Sequence, residues 1–324
     1  MPTRYVQPLR ILIQCAFLAF MLWLGMRFYQ FVQHFRSNGA TAFVPRPDGI
    51  EGFLPISGLL GLSAWLKGAG INPVHPAALV VLLTVLAVSL LLRRSFCSWI
   101  CPVGTISESA WKLGFKVFRR NLQLPKRLDV ALRGLKYLLL ALFIYPIVIR
   151  MDTGSLRDFI LSDYHRVADV RLLDFFLHPS SLAAGVILFL LLLSLPFKNP
   201  FCRYLCPYGA LLGLVAMLSP VRVSRDRETC VSCGVCSQVC PTRIDVMRKR
   251  SVNSPECIGC WRCIAHCRAE GTLSMRLAGR VAISGIVFAL LVVLCFWGGT
   301  AIGEACDVWH TAIPLSEYRV LLGR

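Results

Sequence analysis

Five apolar stretches, near residues 11–31, 74–92, 134–150, 179–197 and 281–298, are each long enough to cross the roughly 30 Å hydrocarbon core of a bilayer. The chain is 324 residues long and 56% hydrophobic, with a mean hydropathy of +0.63. The expected fold class is an α-helical integral membrane protein with about five transmembrane helices. No small-residue cleavage site of the A-x-A kind follows the first stretch, so it reads as an anchor and not as a signal peptide.

Charge then orients the spans. Residues 1–10, 93–136 and 198–280 together hold 25 Lys and Arg against seven Asp and Glu, whereas the remainder holds ten against ten. Basic excess marks cytoplasmic flanks. The expected topology has the N-terminus and both basic segments inside and the tail 299–324 outside. The expected location is a bacterial inner membrane with a periplasmic C-terminus. Because these charges flank membrane spans, topology and anionic headgroups account for them without a nucleic-acid partner.

The larger basic segment carries the chain's densest chemistry. Cys230, Cys233, Cys236 and Cys240, followed by Pro241, repeat in rhythm as Cys257, Cys260, Cys263 and Cys267. This double C-x2-C-x2-C-x3-C pattern is that of a bacterial 2[4Fe–4S] ferredoxin, in which the fourth cysteine of each run crosses to the other cube. One cluster is expected on Cys230, Cys233, Cys236 and Cys267, the other on Cys257, Cys260, Cys263 and Cys240. Zinc also uses C-x2-C pairs, but rarely this threefold rhythm. Arg268 stands where the first run has its proline, which leaves that turn less constrained. The module is expected over 221–278, after a membrane domain (1–220) and before a final helix and outer tail (279–324). Twelve of fifteen cysteines fall in regular runs on the basic side, which argues against disulfides. Cys15 and Cys295 read as small buried apolar residues within spans, and Cys306 has no assigned role.

The membrane part repeats itself. Phe96 to Gly104 reads FCSWICPVG and Phe201 to Gly209 reads FCRYLCPYG, each preceded by an apolar span opened by His-Pro, at His75-Pro76 and His178-Pro179. Two such units suggest packing about a pseudo-two-fold axis. On a helix end, cysteines at i and i+4 share a face, and the proline and glycine turn the chain. Cys97, Cys101, Cys202 and Cys206 together match the ligand count of a third iron–sulfur cluster. A redox dithiol and a plain packing role are the alternatives. His75 and His178 are candidates for a quinone or haem, against the simpler reading of His-Pro as a helix start. The glycine-broken segment 52–70 is too short to span; it reads either as a re-entrant piece forming a quinone-sized slot or as an interfacial helix anchored by Trp65. Asp152, Asp158, Asp163, Asp169 and Asp174 crowd the loop 150–178, where an acid beside a quinol could accept its protons.

Taken as a set, the two C-x3-C-P units and the double cluster module resemble the membrane polyferredoxin group, which includes NapH-, NosR-, MauN- and CcoG-type proteins. In plan the chain is similar to NapH; at 324 residues it is expected to lack the large outer domains of the NosR and CcoG types. The resemblance implies a quinol dehydrogenase subunit that links the quinone pool to a partner reductase, cytochrome or ferredoxin-like subunit. It also implies that the four membrane-edge cysteines match the group's own pairs. A basic surface including Arg243, Arg248, Lys249 and Arg250 would suit an acidic redox partner. The alternative is an assembly or maturation factor whose clusters reduce a metal or thiol in the biogenesis of another complex. No nucleotide-binding glycine motif or catalytic triad is present, so no catalytic residue is assigned.

Overall fold

A computed structural model describes residues 5–322. Arg4, counted above with the inner-side basic residues, and Arg324 lie outside the described residues. The fold is mostly helical, with one small sheet. Among the described residues three helices are long and apolar enough to cross a membrane: Val6–Arg36, Lys126–Arg150 and Gly285–Ala305. A fourth span results if Ala168–Leu177 and Ser181–Leu193, bent by 73°, are counted together. Pro76–Leu92 is a further apolar helix of 17 residues.

All five apolar stretches are largely helical, although 281–283 is strand, and those at 74–92 and 179–197 form helices of only 17 and 13 residues. In the second of these the cause is proline. The 73° bend falls at His178-Pro179-Ser180, where Pro179 supplies no N–H to continue a ladder. Pro146 does not break the Lys126–Arg150 run: it sits in the π-helical turn Tyr145–Arg150 with which that run ends.

Contacts divide the chain into two compact units. The first comprises Met1–Leu18, Val85–Leu140 and Ile187–Phe296 and contains every cysteine of the runs and pairs. Its sheet is fully antiparallel in the order β2-β1-β3-β4, with β1 Val221–Arg225, β2 Ser251–Val252, β3 Leu273–Leu277 and β4 Val281–Ile283. The fourth strand lies beyond residue 278. Val221, Val223, Val252, Leu273 and Met275 are buried. In β1 and β3 they recur every second residue, as one covered face of a sheet requires.

Helix Pro102–Phe118 is fastened in the same unit by Glu108, a buried acid that accepts from Arg10 at 2.5 and 2.8 Å, Gln14 at 3.3 Å, Lys112 at 2.8 Å and Arg262 at 3.1 Å. Burial, the largest single influence, would raise its pKa, but the hydrogen bonds and charges of Arg10 and Lys112 together outweigh it and hold it down at about 2. Cys15 does not have the buried place expected of it: its side chain is exposed on the Val6–Arg36 helix.

The second unit comprises Ala19–Thr84, Ala141–Val186 and Trp297–Arg324. Phe28, Phe31, Val32, Phe35, Ile50, Val170 and Tyr318 form its main apolar cluster. Helix Pro55–Leu66 occupies the glycine-broken segment and lies against the start of Pro76–Leu92. Glycine permits this approach: a Cβ on Gly58 would stand 2.7 Å from the Ala78 carbonyl oxygen. Trp65 remains half exposed.

Candidate iron–sulfur centres

The two ferredoxin runs fold alike. In the first, Ser232 and Gly234 adopt left-handed backbone angles, φ 51° and 74°; in the second, Gly259 and Trp261 do so, φ 58° and 61°. Each pair flanks the middle cysteine of its run. Left-handed residues in such turns aim successive backbone N–H groups into a concavity that favours negative charge. A bulky residue rarely accepts this conformation. Trp261 is held in it by near-complete burial and by its ring packing on Phe288, with centroids 5.7 Å apart.

Two cavities result. One, of about 320 Å³, is lined by Cys230, Cys233, Cys236 and Cys267 together with Val231, Met247 and Leu273. The other, of about 380 Å³, is lined by Cys240, Cys257, Cys260 and Cys263 with Val223, Ile244 and Trp261. Each cavity thus gathers three cysteines of one run and the fourth of the other. Among the described residues no three His, Cys, Asp or Glu side chains converge as they would round one metal ion. A cube carries each thiolate on a separate iron, so its ligands stand round a volume and not a point.

The thiols suit a cationic core. Burial pushes Cys260 up to about 12 and raises Cys263 well above the ordinary thiol range. Cys230, near the surface, is instead lowered by the Ser232 backbone N–H and by Arg225. Thiolates at the buried positions therefore need a compensating positive charge, which iron supplies.

The four remaining paired cysteines also come together. Cys97 lies on the turn Phe96–Trp99 and Cys202 on the turn Phe201–Leu205. Cys101 and Cys206 cap the helices Pro102–Phe118 and Pro207–Ala216. The glycine of the first motif lets its helix fold back on the cysteine turn: a Cβ on Gly104 would stand 2.2 Å from the Cys97 carbonyl oxygen. The Gly209 N–H donates to Cys206 Sγ at 3.2 Å.

Burial raises Cys101 to about 12, with Cys97 and Cys206 adding to the shift. Burial also raises Cys202, with Cys206, Cys101 and Cys97 contributing, so the four thiols form one electrostatic group. Arg94, 1% exposed, faces Cys97, Cys202 and Cys206. Sequence reading missed this arginine, although an Arg93-Arg94 pair directly before the first C-x3-C unit was a signal for it.

Hydrogen bonds stitch the two kinds of cysteine segment together. Trp99 Nε1 donates to the Gly259 carbonyl at 3.1 Å, Ser98 Oγ to the Ile258 carbonyl at 2.5 Å, and Gln7 Nε2 to the Cys260 carbonyl at 2.9 Å. Arg93 and Arg94 reach the carbonyls of Ser254 and Pro255, at 2.8 and 3.3 Å. Lys136 Nζ meets Glu256 at 2.5 Å.

The histidine pair is treated differently. His75 is fully buried; its Nε2 donates to the His165 carbonyl at 2.8 Å and its Nδ1 lies 3.4 Å from Glu51. His178 is exposed, and its backbone N–H closes the helix end on the Asp174 carbonyl at 2.8 Å. In the same unit, Arg46 binds Asp169 at 2.8 Å and Glu51 at 3.0 Å, all three buried. Asp174 pairs with Arg36, and Asp152 caps the helix Thr153–Ile160. A slot of about 660 Å³ lies beside the glycine-broken segment, lined by Ala64, Ile71, Asn72, Arg157, Ile160 and Leu161 among others. The buried Asn72 Nδ2 has no partner.

The 4Fe-4S binding domain family matches twice, at residues 74–125 and 177–225, and the 4Fe-4S dicluster domain matches at 222–268. YccM of Escherichia coli (strain K12) is 40% identical over 95% of this chain and 88% of that protein. The ferredoxin-type protein NapH of the same organism is 30% identical over 55% of this chain and 60% of its own. The methylamine utilization ferredoxin-type protein MauN of Paracoccus denitrificans is 32% identical over 57% of this chain and 62% of its own. No solved structure matches.

Proposed function

The chain belongs to the ferredoxin-type membrane proteins that bind 4Fe-4S clusters and carry electrons, and from that premise we propose that it is a quinol dehydrogenase subunit. It passes electrons from the quinone pool, through its clusters, to a partner redox protein. Cys230, Cys233, Cys236 and Cys267 hold one cube, and Cys240, Cys257, Cys260 and Cys263 hold the second. Cys97, Cys101, Cys202 and Cys206 hold a third at the membrane edge, with Arg94 offsetting its negative charge. The clusters supply one-electron steps. The chain's own residues bury them, hydrogen-bond the loops that carry them, and so set their potentials.

The observation that carries this reading is the direct bonding of the first C-x3-C turn to the second ferredoxin loop through Ser98 and Trp99. Electrons arriving at the membrane edge then need no mobile carrier to enter the ferredoxin module. The slot beside Asn72 and Arg157 takes the quinol ring, with the unpartnered Asn72 amide as a donor to a ring oxygen. His75, held by Glu51 and the His165 carbonyl, supports the segment that forms the slot.

The test uses the full chain in lipid, loaded with iron and sulfide under anaerobic conditions. Menaquinol or ubiquinol should reduce the clusters, read as the appearance of their EPR signals. Clusters that stay oxidised with every quinol, while dithionite reduces them, would move the reading to the maturation-factor alternative.

A further inference from the structure

Within the first unit a cleft of about 850 Å³ is lined by Lys126, Lys198, Arg203 and Arg243, together with Leu122, Phe197 and Ile244. Few of its charges are answered. Lys198 Nζ has only the Gln238 carbonyl, at 3.2 Å, and lies over the Trp111 ring at 5.4 Å. Arg243 donates to Gln123 Oε1 at 2.8 Å and to the Leu124 carbonyl at 3.3 Å; its nearest carboxylate, Asp129, is 3.8 Å away. Asp129 is already taken by Arg203, at 2.7 and 2.9 Å. Asp245, the acid on the lining itself, is exposed and pairs with Arg248 at 3.3 Å.

Arg203 itself is 3% exposed, and its Nη1 has no partner. A buried guanidinium donor left unmatched is uncommon. Four cations, two lining-associated carboxylates and an orphaned N–H describe a cavity built for an anion with several acceptor oxygens. Phosphate chemistry fits such a fork of donors. The place fits too: Lys126 is the first residue of a helix long and apolar enough to cross a membrane. A basic pocket at the foot of such a helix, with apolar residues in its wall, is the setting in which acidic headgroups bind.

We propose that this cleft binds a phosphate-bearing anion, supplied in the membrane by the headgroup of an acidic phospholipid. Ile244 lines both the cleft and the cavity of Cys240, Cys257, Cys260 and Cys263. A bound anion therefore adds negative charge next to that centre and makes it harder to reduce.

The test compares the cluster-loaded full chain with the Lys126→Gln/Lys198→Gln variant in nanodiscs of phosphatidylcholine, with and without phosphatidylglycerol. Native mass spectrometry counts retained phosphatidylglycerol. The wild type should retain it, and the variant should bind it about thirtyfold more weakly, since each cation near a headgroup contributes about fivefold. In phosphatidylcholine discs, inorganic phosphate that binds with the same sensitivity to the variant would support the site and assign its source as free phosphate. Iron content and EPR line shape report whether the double variant folds. If it does not, the exposed Lys126→Gln alone should show about a fivefold loss. Equal phosphatidylglycerol retention in wild type and a folded variant, with no phosphate binding, would overturn the proposal.

Discussion

Trp99 Nε1 donates to the Gly259 carbonyl across 3.1 Å. Trp99 lies between the two cysteines of the first membrane-edge unit, and Gly259 immediately precedes Cys260. The contact is built from both sides. Trp99 is fully buried with its ring against Phe288, centroids 5.8 Å apart, and Gly259 has the left-handed backbone that turns its loop. One hydrogen bond thus links the geometry of the membrane-edge thiols to that of a ferredoxin loop.

Replacing Trp99 with Phe keeps most of the ring packing and removes the donor. The Gly259 carbonyl is then left buried without this partner, at a cost of about 1 kcal/mol. The expected outcome is a small loss of thermal stability and a changed EPR signal from the centre on Cys240, Cys257, Cys260 and Cys263. The signal from the centre on Cys230, Cys233, Cys236 and Cys267 should be unaltered. Equal change in both would mean that Trp99 acts on the whole module and not on one loop.

Iron analysis separates two centres from three. Three cubes hold about twelve irons per chain and two hold about eight. The wild type should contain about twelve, and Cys97→Ser/Cys202→Ser about eight with the ferredoxin signals retained. About eight irons in the wild type would leave the membrane-edge thiols without a cluster.

The grouping of the cysteines about two cavities was legible because their spacing is local: three cysteines of each lining come from one turn, and the fourth comes from the other run. Helix positions were legible from hydropathy, but their lengths were not. Pro179 bends a run that an apolar window reads as continuous. The ion pairs were out of reach for another reason. Arg10 and Glu108 are 98 positions apart, and no periodicity connects residues that meet only through tertiary packing. A trace of the signal existed, since Arg10 opens an apolar run and Glu108 is the only acid between residues 93 and 128. Charges in such places are expensive unless paired. Cys15 failed for the converse reason: in lipid an exposed apolar face is as well solvated as a buried one, so apolar character does not report burial.

Glu108 joins three chain segments, through Arg10 and Gln14, Lys112, and Arg262. Glu108→Gln removes the charge and leaves Arg10, fully buried, without a counter-ion. Breaking a buried pair from one side costs about 3–5 kcal/mol. The variant should lose clusters on mild heating well before the wild type. Arg10→Met/Glu108→Leu leaves no unpaired charge at the Arg10 site and should be closer to wild type than Glu108→Gln. A single variant as stable as the wild type would show that the Glu108 charge does not hold the helix.

His165 gives the second unit a pH dependence whose sign can be worked out. Burial, with His75 adding to it, lowers the imidazole from 6.5 to about 4; Asp169 and the Ile160 carbonyl oppose this less strongly. Below about pH 6.5 the unfolded chain binds a proton that the folded chain refuses, so stability falls as pH falls from about 6.5 towards about 4. Above about 6.5 both states are neutral at this site and the contribution is fully present. The span corresponds to about 3 kcal/mol. The thermal midpoint of the detergent-solubilised protein should therefore drop between about pH 7 and about pH 4.5. In His165→Gln, which cannot titrate there, the midpoint should be flatter over the same window. An equal drop in both proteins would place the proton uptake elsewhere.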